Sequence, residues 1–474
     1  MMQDTRPRWF TQPSWWFIGI GIAVLIGATI PAYVDTMGDS LGKLMALPAL
    51  IALVIMTAFS RSTLFLIIVL LRGSTESLFT DSRFSIAGAQ IGLGGLLNAF
   101  AIVIAALLVF EKPQLFSKAI MKTWGAWLIV CLVGVAAAPE PGDAIRLMLQ
   151  LLSNFAVFVA AFYFVRSDED FRSCIKIVLW SSLVPAIYGV IQYAMGTGFY
   201  TPDAGQRANS TFSHPNVFAF YVVLIISLTF YILKSGTFKL NNFLRIAFVL
   251  YLMLLAVLLV LTKTRSAWIA AVAFFFAYGL FFERRYLVYL LVGGACSLFI
   301  PEIGDRLIDL TQGGSEVISS KQTLNSFAWR VSLWTSALDA MEYVHYLQGY
   351  GLEAFFHNSP TFFAESGGAN WGAHNVYMEI FYDLGLLGIG AFLWLYGRLL
   401  GTLKGMFAFD RLGAFTLMFV IVEYLVVCAS DNMLHYLSFN WYLWFLYGAG
   451  ASLVELHRDK KPVAGPQEWQ PVFN

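Results

Sequence analysis

Apolar runs of 16 to 24 residues recur along the whole chain, and no other feature restricts the fold as strongly. A helix needs roughly 20 apolar residues to cross the ~30 Å of hydrocarbon in a bilayer. The runs are continuous rather than alternating, so they indicate helices and not barrel strands. With 58% hydrophobic and only 12% charged residues over 474 positions, a single soluble domain is excluded. The sequence predicts an all-α polytopic membrane protein.

About twelve and at most fourteen membrane-spanning helices are predicted. The count depends on residues 44–110, where Arg61, Arg72 and the polar run GSTESLFTDSR interrupt the apolar pattern. The first run is too long for a cleaved signal peptide, and no small-residue cleavage site follows it. The predicted spans are 14–34, 44–60, 62–77, 86–110, 123–138, 145–165, 174–196, 216–233, 246–262, 266–282, 285–302, 383–400, 412–429 and 438–455.

The distribution of lysine and arginine predicts the orientation, because short cytoplasmic loops of membrane proteins are enriched in both residues. If both termini are cytoplasmic, twenty of the thirty basic residues fall on that side. We therefore expect this orientation, with an even number of spans. Any chemistry then faces outward, because five of the six histidines fall on the outer side: His214, His345, His357, His374 and His435.

A long outer loop separates the last three spans from the others. In its segment SFAWRVSLWTSALDAMEYV, Phe327, Val331, Trp334, Leu338 and Met341 recur at helical spacing. We predict an amphipathic helix, which either lies on the outer leaflet or covers a cavity and guides a large substrate. The predicted parts of the chain are an N-terminal transmembrane bundle (1–300), this helical periplasmic loop region (301–373), the C-terminal transmembrane helices (374–456) and a cytoplasmic tail (457–474).

Basic residues on the predicted outer side are candidates for binding a phosphorylated ligand. In LVLTKTRSAWIAA two apolar spans meet over about five polar residues, which holds Lys263 and Arg265 at the outer membrane surface. They either reach lipid phosphates or, for Arg265, bind a phosphate through two parallel hydrogen bonds. Arg207 precedes His214-Pro215-Asn216, where proline fits the first turn of a helix. It is either a solvated loop residue or a second phosphate ligand.

Several classes of site are not indicated by the sequence. The chain has no GxxxxGK[ST] motif, and a net charge of +1 gives no reason to expect nucleic acid binding. No D-x-D lies on the outer side, because SDED at 167–170 is cytoplasmic, so we expect neither a metal nor another cofactor. The cysteines lie in or beside apolar spans without CxxC spacing, and we expect core residues without a disulfide. They are Cys131, Cys174, Cys296 and Cys428.

The order of the outward motifs resembles that of the O-antigen ligase family. One arginine precedes HPN, a second lies in TKTRSAW, AWRVSLW and LQGYGLEAF occupy the outer loop, and HNVYMEIFYDLGLLG closes it. The resemblance spans about residues 200–400. It implies a multi-helix membrane glycosyltransferase of the bacterial inner membrane, surrounded by membrane lipids. Such an enzyme transfers a polysaccharide from undecaprenyl diphosphate to a sugar hydroxyl of the lipid A core on the periplasmic side.

The resemblance also assigns residues. The family's two essential arginines fall on Arg207 and Arg265, and its histidine falls on His374. We expect His374 to act as the base, since imidazole accepts a proton near neutral pH, and the arginines to stabilise the diphosphate. Further residues expected to bind or orient the substrate are Lys263, Arg330, Asn375 and Tyr377.

Two other functions remain open. The related O-antigen polymerases typically carry an arginine followed eleven positions later by glycine, and Arg207, Arg306 and Arg330 lack that glycine here. A transporter or flippase places ionisable groups near mid-membrane, often within internal repeats. Glu423 is the clearest acid within a predicted span, although it also suits a hydrogen-bonded packing residue, and no internal repeat is visible.

Overall fold

The computed structural model describes residues 62–77, 83–86, 89–115, 118–201, 205–297 and 326–460. The predicted spans 14–34 and 44–60, the predicted loop from 301 to 325 and the tail after residue 460 lie outside these residues. The described part is mainly helical, as the apolar runs predict.

The described elements follow one another along the chain as helices with two short hairpins. The first group is α1 (Ser62–Ser74), β1 (Arg83–Ile86), β2 (Ala89–Gly92), α2 (Leu93–Glu111), α3 (Lys118–Ala136), α4 (Pro141–Phe164), α5 (Asp168–Trp180) and α6 (Leu183–Ala194). The second group is β3 (Phe199–Thr201), β4 (Gly205–Arg207), α7 (Pro215–Lys234), α8 (Asn242–Leu261), α9 (Arg265–Phe281) and α10 (Arg285–Ser297). The third group is α11 (Ser326–Ala340), α12 (Ala354–Phe362), α13 (Val376–Leu403), α14 (Arg411–Val427) and α15 (Leu437–Lys460).

Six helical segments of the described residues are long and apolar enough to cross a membrane. This agrees with an all-α membrane protein, whereas the predicted count of twelve to fourteen spans is not confirmed. The segments are Gly94–Glu111, Pro141–Phe164, Asp168–Ala194, Pro215–Lys234, Asn242–Leu261 and Val376–Ala408. Shorter apolar helices are Ser62–Ser74, Lys122–Ala136, Arg265–Phe281 and Arg285–Cys296.

Two predicted spans differ most from the structure in where they begin. The span predicted from residue 86 begins as a helix only at Leu93, because β1 and β2 form an antiparallel hairpin first. The span predicted from residue 383 begins at Val376 and is interrupted at Gly385, where φ is 63° and ψ is −161°. A Cβ at Gly385 would lie 2.4 Å from the carbonyl carbon of Leu347, so only glycine allows the loop before α12 to approach this closely.

The packing of α15 against α4 forms the centre of the core. A Cβ at Gly448 would lie 2.2 Å from the carbonyl oxygen of Phe158, so the missing side chain lets the two helices come together. The indole N–H of Trp441 donates to the Ser153 hydroxyl at 3.0 Å, which satisfies two polar groups inside this interface. Of the cysteines predicted to be in the core, three are buried, but Cys296 is exposed; all four are free.

The predicted amphipathic helix is present as α11, but its buried face only partly matches the predicted stripe. Met341, which was expected on the stripe, is buried, and so are Leu333 and Ala337, which were not expected there; all three belong to a small cluster with residues of α12 and α13. Val331 and Leu338, which were expected on the buried stripe, are 38% and 39% exposed. The helix carries apolar residues on more than one face, so its periodicity alone does not identify the face that meets the protein.

Candidate active site

One end of the helix bundle gathers every residue that the sequence singled out for chemistry. There α7, α9 and α13 begin, and α8 and α14 end; we call it the site end. The Ala208 amide donates to the Leu261 carbonyl at 2.9 Å, and the Val376 amide donates to the Cys428 carbonyl at 2.7 Å. These backbone hydrogen bonds connect segments at the ends of different helices.

Arg207, the last residue of β4, is bound to the turn between α8 and α9. Its Nε donates to the Thr262 carbonyl at 2.8 Å, and its Nη2 donates to Thr264 Oγ1 at 2.9 Å. Nη2 also donates to Asn216 Oδ1 at 2.8 Å. Arg207 is therefore an integral part of the site end, and it fixes the turn that leads into Arg265.

The turn from Thr262 to Arg265 is as tight as the sequence predicts. Lys263 has a left-handed φ of 53°, and its amide donates to the Val260 carbonyl at 3.0 Å. Thr262 and Thr264 are buried, whereas Arg265 is half-buried and is the first residue of α9. The guanidinium of Arg265 is thus carried by a helix N-terminus, where unpaired amide groups create positive potential.

Asn216 and Asp431 connect Arg207 to the segment that follows α14. Asn216 Oδ1 accepts from Arg207, and Asn216 Nδ2 donates to Asp431 Oδ2 at 2.8 Å. Asp431 Oδ1 accepts from the Tyr436 hydroxyl and from the Asn432 amide, the latter at 2.9 Å. Neither residue was expected from the sequence to belong to the site, where the available signals were an asparagine at a helix start and the polar SDN following an apolar run.

His374 lies in a constrained position between α11 and α13. Its φ is 48°, in the left-handed region that few residues other than glycine adopt. The indole of Trp334 donates to the carbonyl of Ala373 at 2.7 Å, next to His374 in the chain. Arg330, also on α11, donates to the Ser430 carbonyl at 2.9 Å, next to Asp431. Helix α11 therefore holds the His374 segment and the Asp431 segment together.

Asn375 and Tyr377 fix the start of α13. Asn375 is the N-cap residue, and its Oδ1 accepts from the amides of Tyr377 at 3.0 Å and Met378 at 3.2 Å. The hydroxyl of Tyr377 donates to the Leu425 carbonyl at 2.6 Å. These bonds orient the backbone directly after His374, while the part expected for both residues in binding substrate stays a prediction.

Two imidazoles of the site end are neutral near pH 7. Burial lowers the pKa of His374 below its ordinary value and Arg330 lowers it further, whereas Asp431 and Glu379 act in the opposite direction. Burial and the charge of Arg207 lower the pKa of His214 to about 4. His214 Nδ1 accepts from the Asn216 amide at 3.1 Å, which is consistent with an unprotonated nitrogen. Within the described part of the chain, the ring of His374 has no hydrogen-bond partner.

A third imidazole, His435, has the opposite character. Its Nε2 lies 2.5 Å from Glu379 Oε1, and its Nδ1 lies 3.9 Å from Glu353 Oε1. Burial acts against its charged form, but the two carboxylates prevail and raise the pKa of His435 above its ordinary value. Burial also raises the pKa of Glu353. From the sequence, His435 was expected on the outer side but without a role. Its partner Glu379 is 56 residues away in the chain, so no local motif contains both residues.

Among the described residues, no group of three or more His, Cys, Asp or Glu side chains has the arrangement to hold a metal ion.

Residues 250–393, under a third of the chain, match a family model described as O-antigen ligase. The matched segment includes Arg265 and His374, whereas Arg207 lies before it. No curated protein matches the chain. The resemblance seen in the motifs is thus confirmed by an independent comparison over residues 250–393, which are similar to the O-antigen ligase family.

Proposed function

We propose that the protein is a membrane glycosyltransferase that moves a polysaccharide from undecaprenyl diphosphate onto a sugar hydroxyl of the lipid A core. The family match of residues 250–393 supports this class of reaction. The observation that carries the proposal is that a neutral imidazole, His374, lies at the same helix ends as Arg207 and Arg265. The reaction takes place on the periplasmic face of the inner membrane, which is the side that the lysine and arginine distribution predicts for this end.

The diphosphate of the donor binds at the start of α9. Arg265 offers two parallel donors, and the first amides of α9 add the positive end of the helix dipole. Lys263 adds a second charge two residues earlier, and Arg207 keeps the turn in place through Thr262 and Thr264. As the bond from sugar to diphosphate breaks, negative charge grows on the leaving group, and these fixed cations stabilise it.

The acceptor hydroxyl is activated by His374. Because its pKa is lowered, the imidazole is free of a proton at neutral pH and can take one from the hydroxyl. The hydroxyl oxygen then forms a bond to the anomeric carbon, and the lipid diphosphate leaves with the bonding electron pair. Asn375 and Tyr377 support substrate binding by fixing the backbone directly after His374, and Arg330 holds the neighbouring segment that contains Asp431.

We further propose that this transfer is independent of metal ions. Many soluble glycosyltransferases neutralise a diphosphate with a metal held by paired carboxylates, and here Arg207, Arg265 and Lys263 supply positive charge in its place. EDTA should therefore leave the rate of transfer unchanged. Activity that EDTA abolishes and Mg²⁺ or Mn²⁺ restores would contradict this part of the proposal.

Transfer by the purified protein tests the main proposal. The assay supplies a polysaccharide on undecaprenyl diphosphate together with lipid A core, and the product is core lipid that has gained the whole polysaccharide. A reaction without acceptor is the control. Elongation of the glycan on its undecaprenyl carrier would instead identify a polymerase. Movement of the lipid-linked glycan across proteoliposomes, without a new glycosidic bond, would identify a flippase.

A further inference from the structure

The start of α13 places a buried carboxylate about one helical turn after the imidazole proposed as the base. Asn375 is the N-cap residue, so His374 occupies the position before the cap and Glu379 the fourth position of the helix. Side chains at these two positions meet across the first turn, where proteins commonly place two apolar residues as a hydrophobic staple. Here the pair is a histidine and a glutamate, which points to electrostatic pairing instead of apolar packing.

The two carboxylate oxygens of Glu379 have different surroundings. The residue is 6% exposed, and its Oε1 is bonded to His435 Nε2 at 2.5 Å. Its Oε2 is buried and has no hydrogen-bond partner in the part of the chain that the structure describes. A buried carboxylate oxygen without a donor is costly, so its retention calls for a donor that arrives during function.

Two other buried carboxylates of the site end already have hydrogen-bond partners on both oxygens. Asp431 uses Oδ2 for Asn216 and Oδ1 for Tyr436 and Asn432. Asp383 accepts from the amides of Glu353 at 2.8 Å and Phe355 at 2.7 Å, at the start of α12. Of these three buried acids, only Glu379 has an oxygen without a partner in the described part of the chain.

We propose that Glu379 is the positioning carboxylate of His374, accepting the ring N–H of the imidazolium through Oε2 while His435 anchors Oε1. This inference rests on the proposed function. The acceptor hydroxyl gives its proton to one ring nitrogen of His374, and the other ring nitrogen donates a hydrogen bond to Glu379 without transferring its proton. The imidazolium is thereby stabilised as it forms, and the ring is aimed at the hydroxyl.

Charged and titratable groups from every neighbouring element act on this pair. Arg330 on α11 and His435 after α14 oppose protonation of His374, while Glu379 and Asp431 favour it. Removal of any one of these charges should therefore shift the pKa of His374 in a known direction. Other charged or titratable groups of the site end include Lys263 and Arg265 at the start of α9, Arg207 and His214 before α7, Glu353 before α12 and Asp383 on α13.

Titration of the six histidines by NMR, with labelled imidazole carbons, tests the pairing without reference to activity. Glu379→Gln removes a negative charge and should lower the pKa of His374 by roughly one unit. His435→Gln removes a positive charge and should raise it. Glu353→Gln is the matched control, because it changes the environment of His435 without removing the proposed partner of His374. General disruption of the fold would not produce shifts of opposite sign.

Kinetics of the same variants complete the test. Glu379→Gln should lower kcat roughly 10- to 100-fold with little change in KM, a part of the ~10² to 10⁴ that general base catalysis contributes. If Glu379→Gln titrates and turns over like the unmodified protein while His374→Asn is inactive, the pairing is wrong and the proposed function stands. If the titration shifts appear but the unmodified protein transfers no glycan, the pairing stands and the proposed function is wrong.

Discussion

The two ends of the helix bundle differ in how completely their polar side chains are paired. At the end opposite the site end, Lys234 Nζ lies 2.7 Å from Glu283 Oε1, and His457 Nε2 lies 2.9 Å from Asp168 Oδ1. The Tyr231 hydroxyl donates to Asp410 Oδ2 at 2.5 Å. Lys234, His457 and Tyr231 line a cavity of about 570 Å³. At the site end, the ring of His374 and the Oε2 of Glu379 have no hydrogen-bond partner among the described residues.

The difference separates what the fold requires from what a reaction requires. Charged groups at helix ends are normally paired, because isolated buried charges and polar atoms destabilise the folded state. The three pairs named at the opposite end follow this rule. The site end departs from it at His374, which also adopts a left-handed backbone, and departures of this kind concentrate at functional sites. Substitutions of the same chemistry at the two ends should therefore have different consequences.

Replacement of the histidine at each end should give the largest contrast. His374→Asn should abolish transfer, since asparagine cannot act as the base but tolerates the left-handed backbone better than alanine. Cells with this variant should accumulate long glycan on undecaprenyl diphosphate and unsubstituted lipid A core, visible on lipopolysaccharide gels. His457→Asn at the opposite end is the control and should leave a normal ladder.

The species that accumulates also distinguishes related enzymes. A single repeat unit on the core of the His374→Asn variant would favour a polymerase over a ligase. A normal ladder would mean that His374 is not the essential base, and the contrast between the two ends would lose its functional meaning.

Replacement of one arginine at each end should give the next largest effect. Arg265→Lys keeps the charge but loses the planar pair of donors, so turnover should fall by about 10² to 10³. Arg172→Lys is the matched control at the opposite end, because Arg172 donates two hydrogen bonds to the carboxylate of Glu169. The measurement compares initial rates of transfer by the two purified variants, each inserted normally in the membrane. Equal rates in the two variants would return Arg265 to a role in contacting lipid phosphates.

A helical membrane protein, and the location of the candidate polar residues at helix ends, could be predicted because both depend on local sequence. Apolar runs indicate membrane helices wherever they occur, and the turn at Lys263 follows from two such runs meeting over a few polar residues. The face of α11 and the break at Gly385 could not be predicted in this way. Each depends on a contact with a distant segment, the cluster around Phe355 for α11 and the carbonyl of Leu347 for Gly385.

The same limit explains which site residues the sequence identified. His374, Arg207 and Arg265 came from motifs whose residues are adjacent in the chain. Asn216 and Asp431 form their bond across 215 positions, and His435 reaches Glu379 across 56. A single sequence contains no signal for such pairs, although the spacing of His374 and Glu379 around an N-cap asparagine can be recognised in retrospect.

The pH dependence of transfer should identify the protonation state of the site. The rate should fall as pH drops through the pKa of His374, because only the neutral ring accepts a proton. Burial and Arg330 lower that pKa, so the midpoint of the fall should lie below pH 6.5, the ordinary value for histidine. A profile of kcat/KM against pH measures this midpoint for the free protein. A midpoint above pH 6.5 would contradict His374 as the base in this environment.

The smallest contrast concerns two tryptophans that each donate one hydrogen bond. Trp334→Phe removes the donor to the Ala373 carbonyl, beside His374, and Trp441→Phe removes the donor to Ser153, inside the core. Each loss should cost about 1 kcal/mol of stability, visible as a lower Tm. Only Trp334→Phe should also lower kcat, by about fivefold if the same energy is lost from the aligned geometry of His374. If both variants lose stability and neither loses kcat, α11 holds the fold without positioning the base; if Trp441→Phe loses kcat equally, turnover follows general stability at both places.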